Sequence, residues 1–126
     1  MMKLYLSAAI VFAIVCGCGR KPSGPMTVGG RTVADWALDA RSNDPRVRAR
    51  AVSKLGNVGS SEPAAFEVVR TALGDPDPRV RRASISAIPK FGFEATASVA
   101  ETLESIARTD RDPAIRKLAA RARNNN

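Results

Sequence analysis

The 126-residue chain has no histidine, so no imidazole can serve as general base, proton shuttle or metal ligand. Its one tyrosine, Tyr5, and both cysteines, Cys16 and Cys18, lie at the start, leaving the rest without phenol, thiol or disulfide. Aromatics make up 5% of the chain against 44% for apolar residues as a whole. A core must therefore be built from Ala, Val, Leu and Ile, which suits thin helices packed closely. The main apolar run, Leu4 to Val15, has twelve residues and would cover about 18 Å as a helix, short of a hydrocarbon layer about 30 Å thick. Together these absences point to a protein that is not an enzyme and carries no metal and no cofactor.

What is present begins with an address. Met1 to Lys3 give a short positive end, Leu4 to Val15 the apolar stretch, and Val15-Cys16-Gly17-Cys18 a close of small residues before a cysteine, the layout of a secretory signal. Cleavage at another small residue would release a soluble chain. The end of the run resembles the lipobox of bacterial lipoproteins, an aliphatic residue two places before Gly17-Cys18, with Cys16 where Ala, Ser or Thr is more usual. That resemblance implies diacylglycerol on Cys18, cleavage before it, and an acyl chain such as palmitate on the new amine. Residues 1–17 then form the signal peptide and 18–31 the lipidated cysteine with a flexible tether, since Gly19 to Gly30 are Gly-, Pro- and Ser-rich. Residues 32–126 are the body.

The body repeats itself. Asp44-Pro45-Arg46-Val47-Arg48, Asp77-Pro78-Arg79-Val80-Arg81 and Asp112-Pro113-Ala114-Ile115-Arg116 recur at offsets of 33 and 35 residues. Each Asp is placed to cap a helix whose first residue is the proline, which loses nothing there by lacking an N–H. At 100° per residue, Val47, Ala51, Val52, Leu55 and Val58 form one stripe, and Val80, Ser84, Ile85, Ile88 and Phe91 repeat it. Second helices are predicted at about 61–73 and 94–107, and an opening helix at 32–41. The pattern resembles HEAT-type repeats, notably the short bacterial variety also seen in phycobilin lyases, through Asp44, Pro45, Val47, Arg48, Ala51, Leu55 and Gly56. It departs from them at Ser84, at Ile88-Pro89 in place of Leu-Gly, and at Arg123 in a leucine position. The resemblance implies an all-α fold, an α-α superhelix in the form of a short solenoid of about two and a half repeats, with no sheet.

Charge is shared unevenly along this pattern. The first helices carry Arg46, Arg48, Arg50 and Lys54, then Arg79, Arg81, Arg82 and Lys90, then Arg116, Lys117, Arg121 and Arg123, with no acid inside any of them. Second helices carry Glu62, Glu67 and Arg70, then Glu94, Glu101, Glu104 and Arg108, so stacking predicts one basic and one mildly acidic face. Asp44, Asp77 and Asp112 read as caps; Asp75 and Asp110 beside them supply too few oxygens for calcium. Arg48, Arg81 and Arg116 recur at the stripe's rim and read as a ladder reaching capping carboxylates or helix-end carbonyls in a neighbouring unit. Arg46, Arg50, Arg79 and Arg82 lie farther round and are candidates for an anionic partner, with a merely solvated face as the plain alternative.

Nucleic acid is disfavoured as that partner by the export signal and by the shortage of stacking aromatics, since the core can claim Trp36, Phe66, Phe91 and Phe93. The sequence thus points to a membrane-anchored lipoprotein of the cell envelope, facing the periplasm or exterior. Its body would be a non-catalytic interaction or scaffold module for an envelope protein, with anionic head groups also in reach. The alternative is an accessory subunit of an enzyme or a lyase-like handler of a chromophore.

Overall fold

Three Asp-Pro pairs set the frame. Asp44, Asp77 and Asp112 each accept a hydrogen bond from the backbone N–H two residues on, of Arg46, Arg79 and Ala114, all at 2.8 Å. Each following proline is the first residue of a helix. The computed structural model describes residues 24–124. In chain order these form a hairpin of β1 (Thr27–Val28) and β2 (Arg31–Thr32), then α1 (Val33–Asp39), α2 (Pro45–Gly56), α3 (Pro63–Ala72), α4 (Pro78–Ala87), α5 (Phe93–Ser98), α6 (Ala100–Thr109) and α7 (Pro113–Asn124). Short 3-10 turns at Gly59–Ser61 and Ile88–Phe91 follow α2 and α4. The signal segment and Cys18 lie outside the described residues.

The fold is an all-α helical-repeat stack. Helices α2, α4 and α7 make one row with α4 in the middle, while α1 and α3 pack on α2, and α6 packs on α7. The repeated stripe forms the core: Ala51, Val52, Leu55, Ser84, Ile85, Ile88, Ile115 and Ala119 are fully buried, joined by Ala65, Val69 and Leu103 from the other helices. Ser84, where an alanine was expected, satisfies its buried hydroxyl by donating to the Val69 carbonyl, a bond that ties α4 to α3. Phe66 and Phe91 meet edge to face at 5.4 Å between centroids.

Helices α2 and α4 share the most extensive interface of any pair among the described residues. Gly56 allows it: a Cβ there would lie 2.6 Å from the Cβ of Ala87 and 3.2 Å from its Cα. Pro89 occupies the equivalent place one repeat later, so the α4–α7 pair lacks that close approach and its interface is much thinner. The last repeat also changes its outward side chains. Positions filled by buried Val52 and Ile85 become half-buried Ala120, and those of Leu55 and Ile88 become exposed Arg123, so the stack ends on a polar surface.

Several expectations need correction. The segment read as tether up to residue 31, and the expectation of no sheet, give way to the hairpin, in which Thr27 pairs with Thr32 and Val28 with Arg31. Gly29 and Gly30, at φ 60° and 76°, form the tight turn with positive φ at both central residues that such a hairpin needs. The indole of Trp36 then donates to the Val28 carbonyl at 2.8 Å. The single helix expected at 94–107 is two, broken at Val99. Thr96 and Ser98 turn their hydroxyls back onto the carbonyls of Gly92 and Ala95, which competes with the regular ladder and bends the chain. Phe93, assigned to the core, is 66% exposed at the start of α5. Val47, assigned to the inward stripe, is only half-buried, although its repeat equivalents Val80 and Ile115 are buried.

Candidate functional site: a basic outer row

The recurring arginines divide into two sets according to what they touch. Arg48 lays Nε and Nη2 on the two carboxylate oxygens of Asp75, at 2.9 and 3.0 Å, and gives Nη1 to the carbonyls of Ser42 and Asn43. Arg81 repeats the arrangement on Asp110, at 2.7 and 3.0 Å, with Nη1 on the carbonyls of Asp75 and Pro76. Arg116 makes the same carbonyl contact, Nη1 to Asp110 at 2.7 Å, but no carboxylate follows it. These are ladder residues. Their partners, though, are Asp75 and Asp110 and not the caps named from the sequence. Each partner stands two residues before a cap and also accepts that cap's own N–H, from Asp77 or Asp112, at 2.9 Å. Asp75 and Asp110 thus each hold the turn before a helix and span two units at once.

The electrostatics follow the contacts. The hydrogen bond that Arg81 donates to Asp110 raises the pKa of the guanidinium and lowers that of the Asp110 carboxyl against the opposing effect of burial. The Arg79 side chain and backbone N–H hold Asp77 down at about 2. At the opening helix, Thr32 and Asp35 form a capping box, and the Thr32 bonds lower the Asp35 carboxyl.

The second set faces outward. Arg46, Arg50, Arg79 and Arg82, proposed for an anionic partner, are all exposed along α2 and α4. They are not equivalent. Arg79 pairs with its own cap Asp77 at 2.8 Å, and Arg82 lies 3.7 Å from Asp112. Arg46 and Arg50 have no carboxylate within ion-pair distance among the described residues, and neither do Lys117 and Arg121 of α7, which the sequence placed on the same basic face without singling them out. On the opposite side Glu67 pairs with Arg70 and Glu104 lies between Arg108 and Arg123, while Glu62, Glu94 and Glu101 have no cation within ion-pair distance among the described residues.

Where α4 and α7 part, a groove of about 310 Å³ opens on the basic side, lined by Arg82, Ser86, Ala114, Lys117, Leu118 and Arg121. Sequence reasoning passed over it, although Lys117 and Arg121 are one turn apart on one helical face and Pro89 already marked a departure from the repeat. Among the described residues no helix is long and apolar enough to cross a membrane. A family model described as HEAT repeats matches residues 34–123. No curated protein matches the chain.

Proposed function

Because the chain belongs to the HEAT-repeat family, we propose that it is a non-catalytic interaction module, held at a membrane of the cell envelope by lipid on Cys18 and engaging an acidic partner through its outer row. One observation carries the reading. Exposed cations concentrate on the row formed by α2, α4 and α7, where Arg46, Arg50, Lys117 and Arg121 have no carboxylate within ion-pair distance among the described residues. The cations that hold the stack together, Arg48 and Arg81, are by contrast fully engaged. Uncompensated like charge at a surface raises the local concentration of an anionic partner and speeds its arrival more than it adds final affinity.

The anchor rests on Val15-Cys16-Gly17-Cys18 after the apolar run. At about 0.8 kcal/mol per buried CH₂, two or more acyl chains hold a protein firmly, so the row would work beside the lipid surface.

Two measurements test this. The mature N-terminus, read by mass spectrometry, should be a diacylglyceryl-modified Cys18, and Cys18→Ser should be uncleaved or lost from the membrane fraction; an unmodified Cys18 would sink the anchor. Arg46→Glu with Arg50→Glu should weaken capture of native envelope partners, more so at low salt, while the helical signal stays intact. Unchanged capture would return the row to simple solvation.

A further inference from the structure

We propose that the α4–α7 groove is a seat for an acidic polypeptide segment that places an aliphatic side chain on Leu118 and carboxylates on Lys117, Arg121 and Arg82. This rests on the reading of the outer row as an interaction surface and says where on that row, and by what chemistry, a partner is held. The α2–α4 pair is closed by the contact of Gly56 with Ala87; at α4–α7 the equivalent residue is Pro89, and the thinner interface leaves an opening of about 310 Å³. Its lining is mixed. Leu118 is half-buried against the core and Ala114 is exposed, together forming an apolar floor. Lys117, Arg121 and Arg82 supply three cations around it, and Ser86 a hydroxyl. No acid lines it; Arg82 lies 3.7 Å from Asp112, one of whose oxygens already accepts the Ala114 N–H.

This combination selects among anions. A bare phosphate or lipid head group would use the cations and leave the Leu118 floor wet. A peptide with glutamates flanking a leucine satisfies both, burying apolar area at the floor while its carboxylates meet the rim. Repeat equivalence sharpens the assignment, because the position of Leu118 is alanine in α4 (Ala83) and arginine in α2 (Arg50), so α7 alone of the row offers an aliphatic floor.

The test uses the full chain in neutral detergent and a fluorescent, blocked peptide of sequence Glu-Glu-Leu-Leu-Glu-Glu, read by anisotropy. A second peptide carries serines for the leucines, and inorganic phosphate and phosphatidylglycerol vesicles serve as the other anions. The leucine peptide should bind about tenfold more tightly than the serine one, the worth of partly burying one such side chain. Lys117→Glu with Arg121→Glu should weaken it by more than tenfold with the helical spectrum unchanged; Lys117→Gln with Arg121→Gln, milder at these exposed positions, should weaken it less. Equal binding of the two peptides, indifference to both groove variants, no binding of the leucine peptide, or a groove-dependent preference for phosphate or vesicles would overturn the proposal. Peptide binding lost with Arg46→Glu and Arg50→Glu but kept in the groove variants would overturn the groove alone, leaving the outer row as the interaction surface.

Discussion

Arg81 and Asp110, 29 residues apart, share two parallel hydrogen bonds of 2.7 and 3.0 Å with their side chains 15% and 5% exposed. The pair fastens the start of α4 to the turn that opens α7, at an interface much thinner than that of α2 with α4.

Asp110→Asn should therefore destabilise the protein by about 2 kcal/mol, between the sub-kcal worth of surface pairs and the 3–5 kcal/mol of breaking a buried one. Replacing both partners, Arg81→Met with Asp110→Leu, should cost less than the single change, because no charge is then left without its partner. Urea unfolding of the three proteins checks the order.

Acid should loosen the caps in a defined window. The carboxyl of Asp77 sits at about 2 and that of Asp110 is also lowered, so each contributes stability that is complete above the ordinary carboxylate pKa of about 4. It is lost as pH falls through the folded-state values. Asp77→Asn keeps a capping side chain but not the charge, so its stability should vary less between about pH 4 and pH 2 than the wild type's. Parallel curves, from denaturant midpoints at each pH, would contradict this.

Gly56→Ala sets two effects against each other. Alanine favours the helix by about 0.5–1 kcal/mol, but its Cβ would meet that of Ala87 at 2.6 Å, and overpacking of this kind costs about 1–3 kcal/mol. The clash should win. Gly74→Ala, whose Cβ would meet only the Thr71 carbonyl at 3.9 Å, should be neutral or slightly stabilising in the same thermal melt.

Leu55→Ala should cost about 2–5 kcal/mol, as expected for a fully buried leucine, whereas Val47→Ala should cost about 1 kcal/mol or less because that side chain is half exposed. Similar losses at both sites would mean that the outer helix is packed far more tightly than its exposure indicates.

The helical stack was legible because Asp-Pro starts and the 3.6-residue stripe are local signals that recur with the repeat; Asp44, Asp77, Asp112 and the buried positions from Ala51 to Phe91 follow directly from them. The ladder was half legible. Arg48 and Arg81 recur visibly, but Asp75 and Asp77 stand two residues apart in one turn, and spacing alone does not say which of them a guanidinium reaches. The groove depends on the separation of two helices that are 35 residues apart in the chain, and one-dimensional periodicity does not report it. The break at Val99 and the Gly29-Gly30 turn were misread because a strong apolar period and a spacer-like composition outweighed hydroxyl and glycine signals.

The hairpin has a mechanical consequence. Any pull along the chain from residue 24 reaches the helices through β1, whose outer pair, Thr27 with Thr32, lies at the open end of the ribbon. Force applied there unzips the strands bond by bond, then breaks the Trp36 hydrogen bond to Val28, before it bears on the Thr32–Asp35 capping box that holds α1. Straightening Thr27 to Thr32, which start about 5 Å apart as a cross-strand pair, would yield about 12 Å of slack. Under such a load the Gly29-Gly30 turn would give way before the helices, leaving the basic row its shape.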